Sequence, residues 1–278
     1  MEQRSLSGRK EAELLRIEIL RKSLCNRTGE EVYLVATPDE DEPSQQHRPC
    51  DAILETRGVR FAVELTTIDS YMGQRSDDDR FGTVMGDLER RVGNIPDWVE
   101  ITIDVGAIPT GYDWRQLSVG LEAWLLGHLQ EFPYDRRVPV QIPDVPFTFW
   151  VRREHGWGEG RIVVMRHVPV DIEERRCAVI SRALESKRGV LGHYKCEGYV
   201  TILLMEDYDF VLTNRHIICD AFQKVSPLEL CADAIDDVYL IETATSPWTI
   251  SPLKIGSQIF EEPFPEWPDA PGYPYVDT

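Results

Sequence analysis

The stretch RPCDAILETRGVRFAVELTTID, residues 48–69, consists of two short alternating runs, Asp51–Thr56 and Val59–Thr66, separated by Arg57-Gly58. That spacing predicts a β-hairpin with a two-residue turn. Thr56 then faces Val59, and counting back along both runs sets Asp51 opposite Glu64. Side chains opposed in this way lie ~5 Å apart at Cβ on one face of the sheet. Two like charges so close call for compensation, which a divalent cation with oxygen ligands supplies. Glu64 also interrupts an otherwise apolar strand, where an uncompensated carboxylate is costly once covered. The bland alternative is that Asp51 is a strand-opening turn residue and Glu64 an exposed position on a half-solvated strand.

Outward from the hairpin, residues 9–24 carry Leu14, Ile17, Leu20 and Leu24 near helical spacing, which predicts a first amphipathic helix. Glu31–Ala36 reads as a strand, and the polar stretch that follows it, through Pro49, as a loop. Beyond the hairpin, Ser70–Gly82 (SYMGQRSDDDRFG) reads as a mobile acidic loop, Val84–Val92 as a short helix and Trp98–Val105 as a strand. Arg115–Gln130 predicts a helix with an apolar stripe, and Phe147–Arg152 and Arg161–His167 predict strands around the turn EHGWGEG. A helix that Asp171 could cap leads into YVTILLM (199–205), an apolar run suited to a strand covered on both faces. A turn at EDYD, a helix over Asn214–Lys224 and a strand over Asp237–Glu242 complete an α/β pattern, a mixed central sheet flanked by helices.

Composition is that of a soluble globular chain: 278 residues, 42% hydrophobic and 28% charged. The charged N-terminus has no apolar h-region, and no run approaches the ~20 apolar residues of a membrane span, so a cytoplasmic protein without a membrane partner is expected. Six scattered cysteines without a C-x-x-C pair suggest reduced thiols. The net charge of −18 opposes polyanion binding. Its distribution is uneven, however. Residues 1–27 and 152–195 are locally basic, leaving a nucleic-acid face available, and residues 196–278 carry 15 acids against 3 bases. That acidic C-terminal third suits a protein partner.

An initial helix with Glu18, then Pro49-Cys50-Asp51 opening a hairpin and Glu64-Leu65-Thr66 ending its apolar strand, resembles the PD-(D/E)xK nuclease superfamily, of restriction-endonuclease-like fold. The resemblance divides the chain into residues 1–68 as the first half of the core, 69–160 as an insertion, 161–260 as the second half and 261–278 as a Pro-rich extended tail. It implies that Asp51, Glu64 and the Leu65 carbonyl hold Mg²⁺ or Mn²⁺ for phosphodiester hydrolysis of DNA or RNA, as in prokaryotic defence. Thr66 stands where the family carries lysine. A threonine cannot supply that positive charge, so either another cation replaces it, with Lys187 the first candidate, or the fold is an inactive binding or regulatory module. Glu18 is the candidate acid of the first helix.

Other chemistries find less support. His193, Cys196, His216 and Cys219 could form a zinc set, but the predicted strand between the two pairs separates them. No G-x-S-x-G elbow, phosphate-binding loop or dinucleotide glycine fingerprint is present.

Overall fold

The computed structural model describes residues 2–38, 49–86, 88–92, 95–155, 160–209, 212–225 and 227–261, with the side chains of 2–9, 90 and 228 outside the description. The Pro-rich tail, most of the 37–49 loop and most of the EHGWGEG turn therefore fall outside it. The chain divides into two units, Met1–Tyr71 with Glu173–Thr278, and Met72–Ile172.

The first unit is built on a seven-stranded mixed sheet. Its strands are β1 (Tyr33–Ala36), β2 (Ala52–Thr56), β3 (Val59–Thr67), β8 (Val200–Asp207), β9 (Asp237–Glu242), β10 (Thr249–Ile255) and β11 (Gln258–Ile259), side by side in that order. The β2–β3 hairpin has the expected register, Thr56 opposite Val59 and Ala52 opposite Val63. Arg57 and Gly58 both have positive φ (26° and 85°), as a type I′ turn requires, and glycine takes the more extreme position. β3, β8 and β9 run parallel, and the outer pairs run antiparallel.

Period two sorts β8 between two layers. Ile202 and Leu204 join Phe61, Val63 and Leu65 against Ile17, Leu20 and Leu24 of α1 (Glu2–Thr28). Leu203 and Met205 pack on the other face with Ile180, Leu184 and Leu191 of α5 (Ile172–Cys196) and with Ile218 and Phe222 of α6 (Arg215–Lys224). β8 is thus covered on both faces, and it continues through Glu206 and Asp207, where the sequence suggested a turn. A short α7 (Pro227–Cys231) precedes β9. β10 has no counterpart in the sequence reading because Pro252 sits inside it. A register shift between Pro252 and Lys254 lets the ladder accommodate a residue without an N–H.

The second unit has a four-stranded sheet ordered β5 (Arg137–Gln141), β6 (Thr148–Glu154), β4 (Trp98–Asp104) and β7 (Ile162–His167). Ile101 and Ile103 of β4 and Phe149 and Val151 of β6 pack with Leu121 and Leu125 of α4 (Trp114–His128) and Leu88 of α3 (Leu88–Val92). Two expectations change here. Strand 161–167 belongs to this unit and not to the second half of the core, because β7 pairs in parallel with β4, Ile101 opposite Val164. The unit accordingly ends at 172 and not at 160. Residues 74–84 form a helix, α2 (Gln74–Val84), where a mobile loop was expected. Asp77 is buried there against Arg80 and Arg166 and accepts the Gly106 N–H, so the aspartates are partly structural and not simply solvated.

Candidate functional site

The hairpin places its two acids differently. The N–H of Asp51 donates to the carbonyl of Val63 (3.0 Å), the residue that already faces Ala52, so the regular ladder stops at Ala52. The Asp51 carboxylate then accepts the Leu65 N–H (2.6 Å), closing the open end of the hairpin through a side chain. In antiparallel pairing a residue directs its N–H and C=O to the same neighbour. The Leu65 carbonyl therefore leaves β3 on the edge where Asp51 sits.

Glu64 has the opposite facing from Phe61, Val63 and Leu65, toward α5, and is fully buried. Its carboxylate forms an ion pair with the ammonium of Lys187, itself only 8% exposed. Lys187 lies on the inward stripe of α5 between Leu184 and Leu191, with Ile180 and Tyr194 one step further each way. Two charges that each break an apolar pattern thus find one another. This is the signal that the sequence held: a lysine on the buried stripe of one element and a glutamate on the buried face of another. Thr66, partly buried, follows Glu64 on the same face.

Around the pair, Cys50 donates its N–H to the Tyr194 hydroxyl (3.3 Å). Burial pushes the Cys50 thiol up to about 12, with the nearby Glu64 charge acting in the same direction and the Tyr194 hydrogen bond against it. Burial likewise lifts Tyr194 to about 12. Neither group is a thiolate or phenolate near neutral pH, so neither offers a nucleophile there.

Glu18 is not brought to this cluster. Its carboxylate accepts two hydrogen bonds from Arg21, both 2.7 Å, which hold it below the usual carboxylate range. It also belongs to α1, the helix covering the other face of the sheet. Other lysines are engaged elsewhere: Lys195 with Asp236 (3.0 Å) and Lys254 with the carbonyls of Ile235 and Asp236. The four candidate zinc ligands do not assemble. The Cys219 thiol faces the Phe260 carbonyl and His193 faces Glu197. Among the described residues no group of three or more His, Cys, Asp or Glu side chains could hold a metal ion.

The sequence reading missed a second polar cluster, at the carboxyl end of β8. Asp207 is 3% exposed, and burial pushes its carboxyl up to about 7. The Asp209 N–H opposes that shift, the charges of Asp209 and Glu242 reinforce it, and Arg176 lowers it. Thr213 is buried beside it, and Arg176 donates to the Leu212 carbonyl (2.8 Å). The residues EDYD signalled only a polar turn; that the strand continues under α5 depends on non-local packing.

The donor set at the hairpin is oxygen-only, two carboxylates and a backbone carbonyl, which suits a hard cation that keeps several waters. The Lys187 ammonium offsets one of the two negative charges, leaving a net charge of −1. By type these are donors that Mg²⁺ or Mn²⁺ takes. No described helix is long and apolar enough to cross a membrane. The chain matches no family model, no curated protein and no solved structure.

Proposed function

We infer that this chain is a metal-dependent phosphodiesterase of the PD-(D/E)xK type acting on DNA or RNA, with Lys187 in the part of the lysine that Thr66 replaces. The observation that carries this reading is the pairing of Lys187 with Glu64 on the hairpin whose other acid, Asp51, lies against Leu65. The order of elements supports it as well: an initial helix, the hairpin, then α5 and a strand parallel to β3. Asp51, Glu64 and the Leu65 carbonyl would hold the cation, which when bound polarises the scissile phosphate and lowers the pKa of its water. Lys187 reaches the pair from α5 and supplies a fixed positive charge that stabilises negative charge developing on the phosphate. Asp51, tied to Leu65, fixes the strand end on which those donors sit. A role in prokaryotic defence belongs to this reading through the family resemblance.

A second reading, an inactive nuclease fold serving as a binding module, is favoured by one feature. Glu64 is fully buried and its charge already has a partner. The acidic C-terminal third would then meet a protein partner.

The two separate in one assay: purified chain with DNA and with RNA in Mg²⁺ or Mn²⁺, beside Glu64→Ala and Lys187→Ala. Cleavage abolished by both substitutions in variants that circular dichroism shows to be folded supports the phosphodiesterase. Cleavage that survives Glu64→Ala sinks the site, and none under any condition supports the module.

A further inference from the structure

The second unit contains a groove of about 460 Å³ that the hairpin chemistry does not use. One wall is a face of α4 with Gln116, Leu117, Gly120 and Trp124, preceded by Tyr112 and Asp113. The other is the β5–β6 connection, Ile142 to Val145. Leu117, Ile142 and Val145 make the floor apolar. Trp124 lends an aromatic wall whose plane is set by stacking on His128, 4.3 Å between ring centroids and 11° between planes. The volume lies within the range of small-molecule sites, roughly 300–1,000 Å³.

Gly120 lies in the lining of the groove. A glycine inside a helix costs about 1 kcal/mol relative to alanine, a loss that close packing often explains. Here a Cβ at position 120 would meet nothing within 4 Å, so packing does not require glycine. The side chain that is absent would project into open space along the groove wall.

Both charged lining residues are acids, one on each wall. Asp113 caps α4 through Oδ1, accepting the N–H groups of Arg115 (3.1 Å) and Gln116 (3.0 Å). Asp144 is exposed at the turn with φ 66°, a left-handed conformation that aspartate tolerates. Two carboxylates beside an aliphatic floor with Trp124 and Tyr112 in the lining complement a cation with an apolar body: the acids attract the charge and repel phosphates and carboxylates, and the apolar lining takes the body. We propose that this groove binds a small organic amine or guanidine carrying an apolar or aromatic group.

The test uses the full chain and calorimetric titration with phenethylamine, beside 3-phenylpropionate, which keeps the ring and reverses the charge. Phenethylamine is expected to bind with a roughly millimolar or tighter Kd, and 3-phenylpropionate at least about tenfold more weakly. Asp113→Asn with Asp144→Asn retains both a capping residue and a left-handed turn residue while removing the charges. It is expected to weaken phenethylamine about tenfold and to erase the preference. Gly120→Leu fills the groove with a better helix former, so the thermal midpoint holds or rises while binding is lost. No measurable binding, equal binding of the two probes, or binding undiminished by Gly120→Leu would overturn the proposal.

Discussion

Lys187→Met leaves the fully buried Glu64 carboxylate without the ammonium that faces it. The methionine fills most of the lysine's volume, so the change is electrostatic more than steric. Removing one partner of a buried ion pair costs ~3–5 kcal/mol because a charge stays in a low-dielectric setting. Glu64→Gln strands the lysine instead and is expected to cost somewhat less, since Lys187 retains slight exposure and a flexible stem through which to reach water. The double variant Glu64→Gln, Lys187→Met carries no buried charge. Its loss should fall short of the sum of the two single losses by a coupling energy of ~0.5–3 kcal/mol. The assay is urea denaturation of the four proteins followed by circular dichroism, comparing midpoints at matched m-values. Single losses below ~1 kcal/mol, or a double variant whose loss is the sum of the two, would refute the buried-pair reasoning.

The Asp207 carboxyl lies at about 7 in the fold against its ordinary 3.8, so between those values the folded chain keeps a proton that the unfolded chain releases. Stability therefore falls as pH rises from about 4 to about 7 and levels off above, by at most about 4 kcal/mol. Asp207→Asn should flatten that slope and stabilise the protein at pH 8; an unchanged slope in pH-dependent urea titrations would contradict the assignment. Gly58→Ala forces a Cβ into a turn position with φ 85°, and should lower stability by about 1 kcal/mol, read from the thermal midpoint. In the second unit, Asp77→Ala leaves Arg80 and Arg166 short of a buried carboxylate and should destabilise by ~3 kcal/mol, measured by hydrogen exchange at α2 and β7. Protection there equal to that of the unsubstituted chain would show the network to be dispensable.

The hairpin could be read from sequence because its determinants are local: alternation, a two-residue turn and one glycine fix the register from Thr56 to Ala52. β8 was legible for a similar reason, since a run apolar at nearly every position needs cover on both faces. The membership of 161–167 was not, because the partner of a strand is chosen across the chain and nothing in IVVMRH distinguishes β4 from β3. Helix 74–84 was concealed by its own composition: QRSDDDRFGTV shows no apolar stripe, and what holds Asp77 inside is an arginine 89 positions away. Pro252 disguised β10, since a bulge that absorbs proline leaves no sequence mark. At the candidate site the acids and Lys187 could be nominated singly. Their pairing required the register of α5 over β3, set by Ile180, Leu184 and Leu191 together.

The second unit leaves the first after Tyr71 and returns at Glu173. On the first unit those two attachment points are neighbours, with Ile68, Asp69 and Ser70 lining the same small cavity as Arg176 and Ile180. Kinetically, the chain between them is a long loop that must close before β3 can pair with β8. A hundred-residue detour costs only ~1 kcal/mol more to close than a thirty-residue one, so its entropic burden is light. Adjacent attachment points also make the inserted unit a removable side branch: a short flexible bridge from Tyr71 to Glu173 should leave the seven-stranded sheet and its Glu64–Lys187 pair able to fold without it.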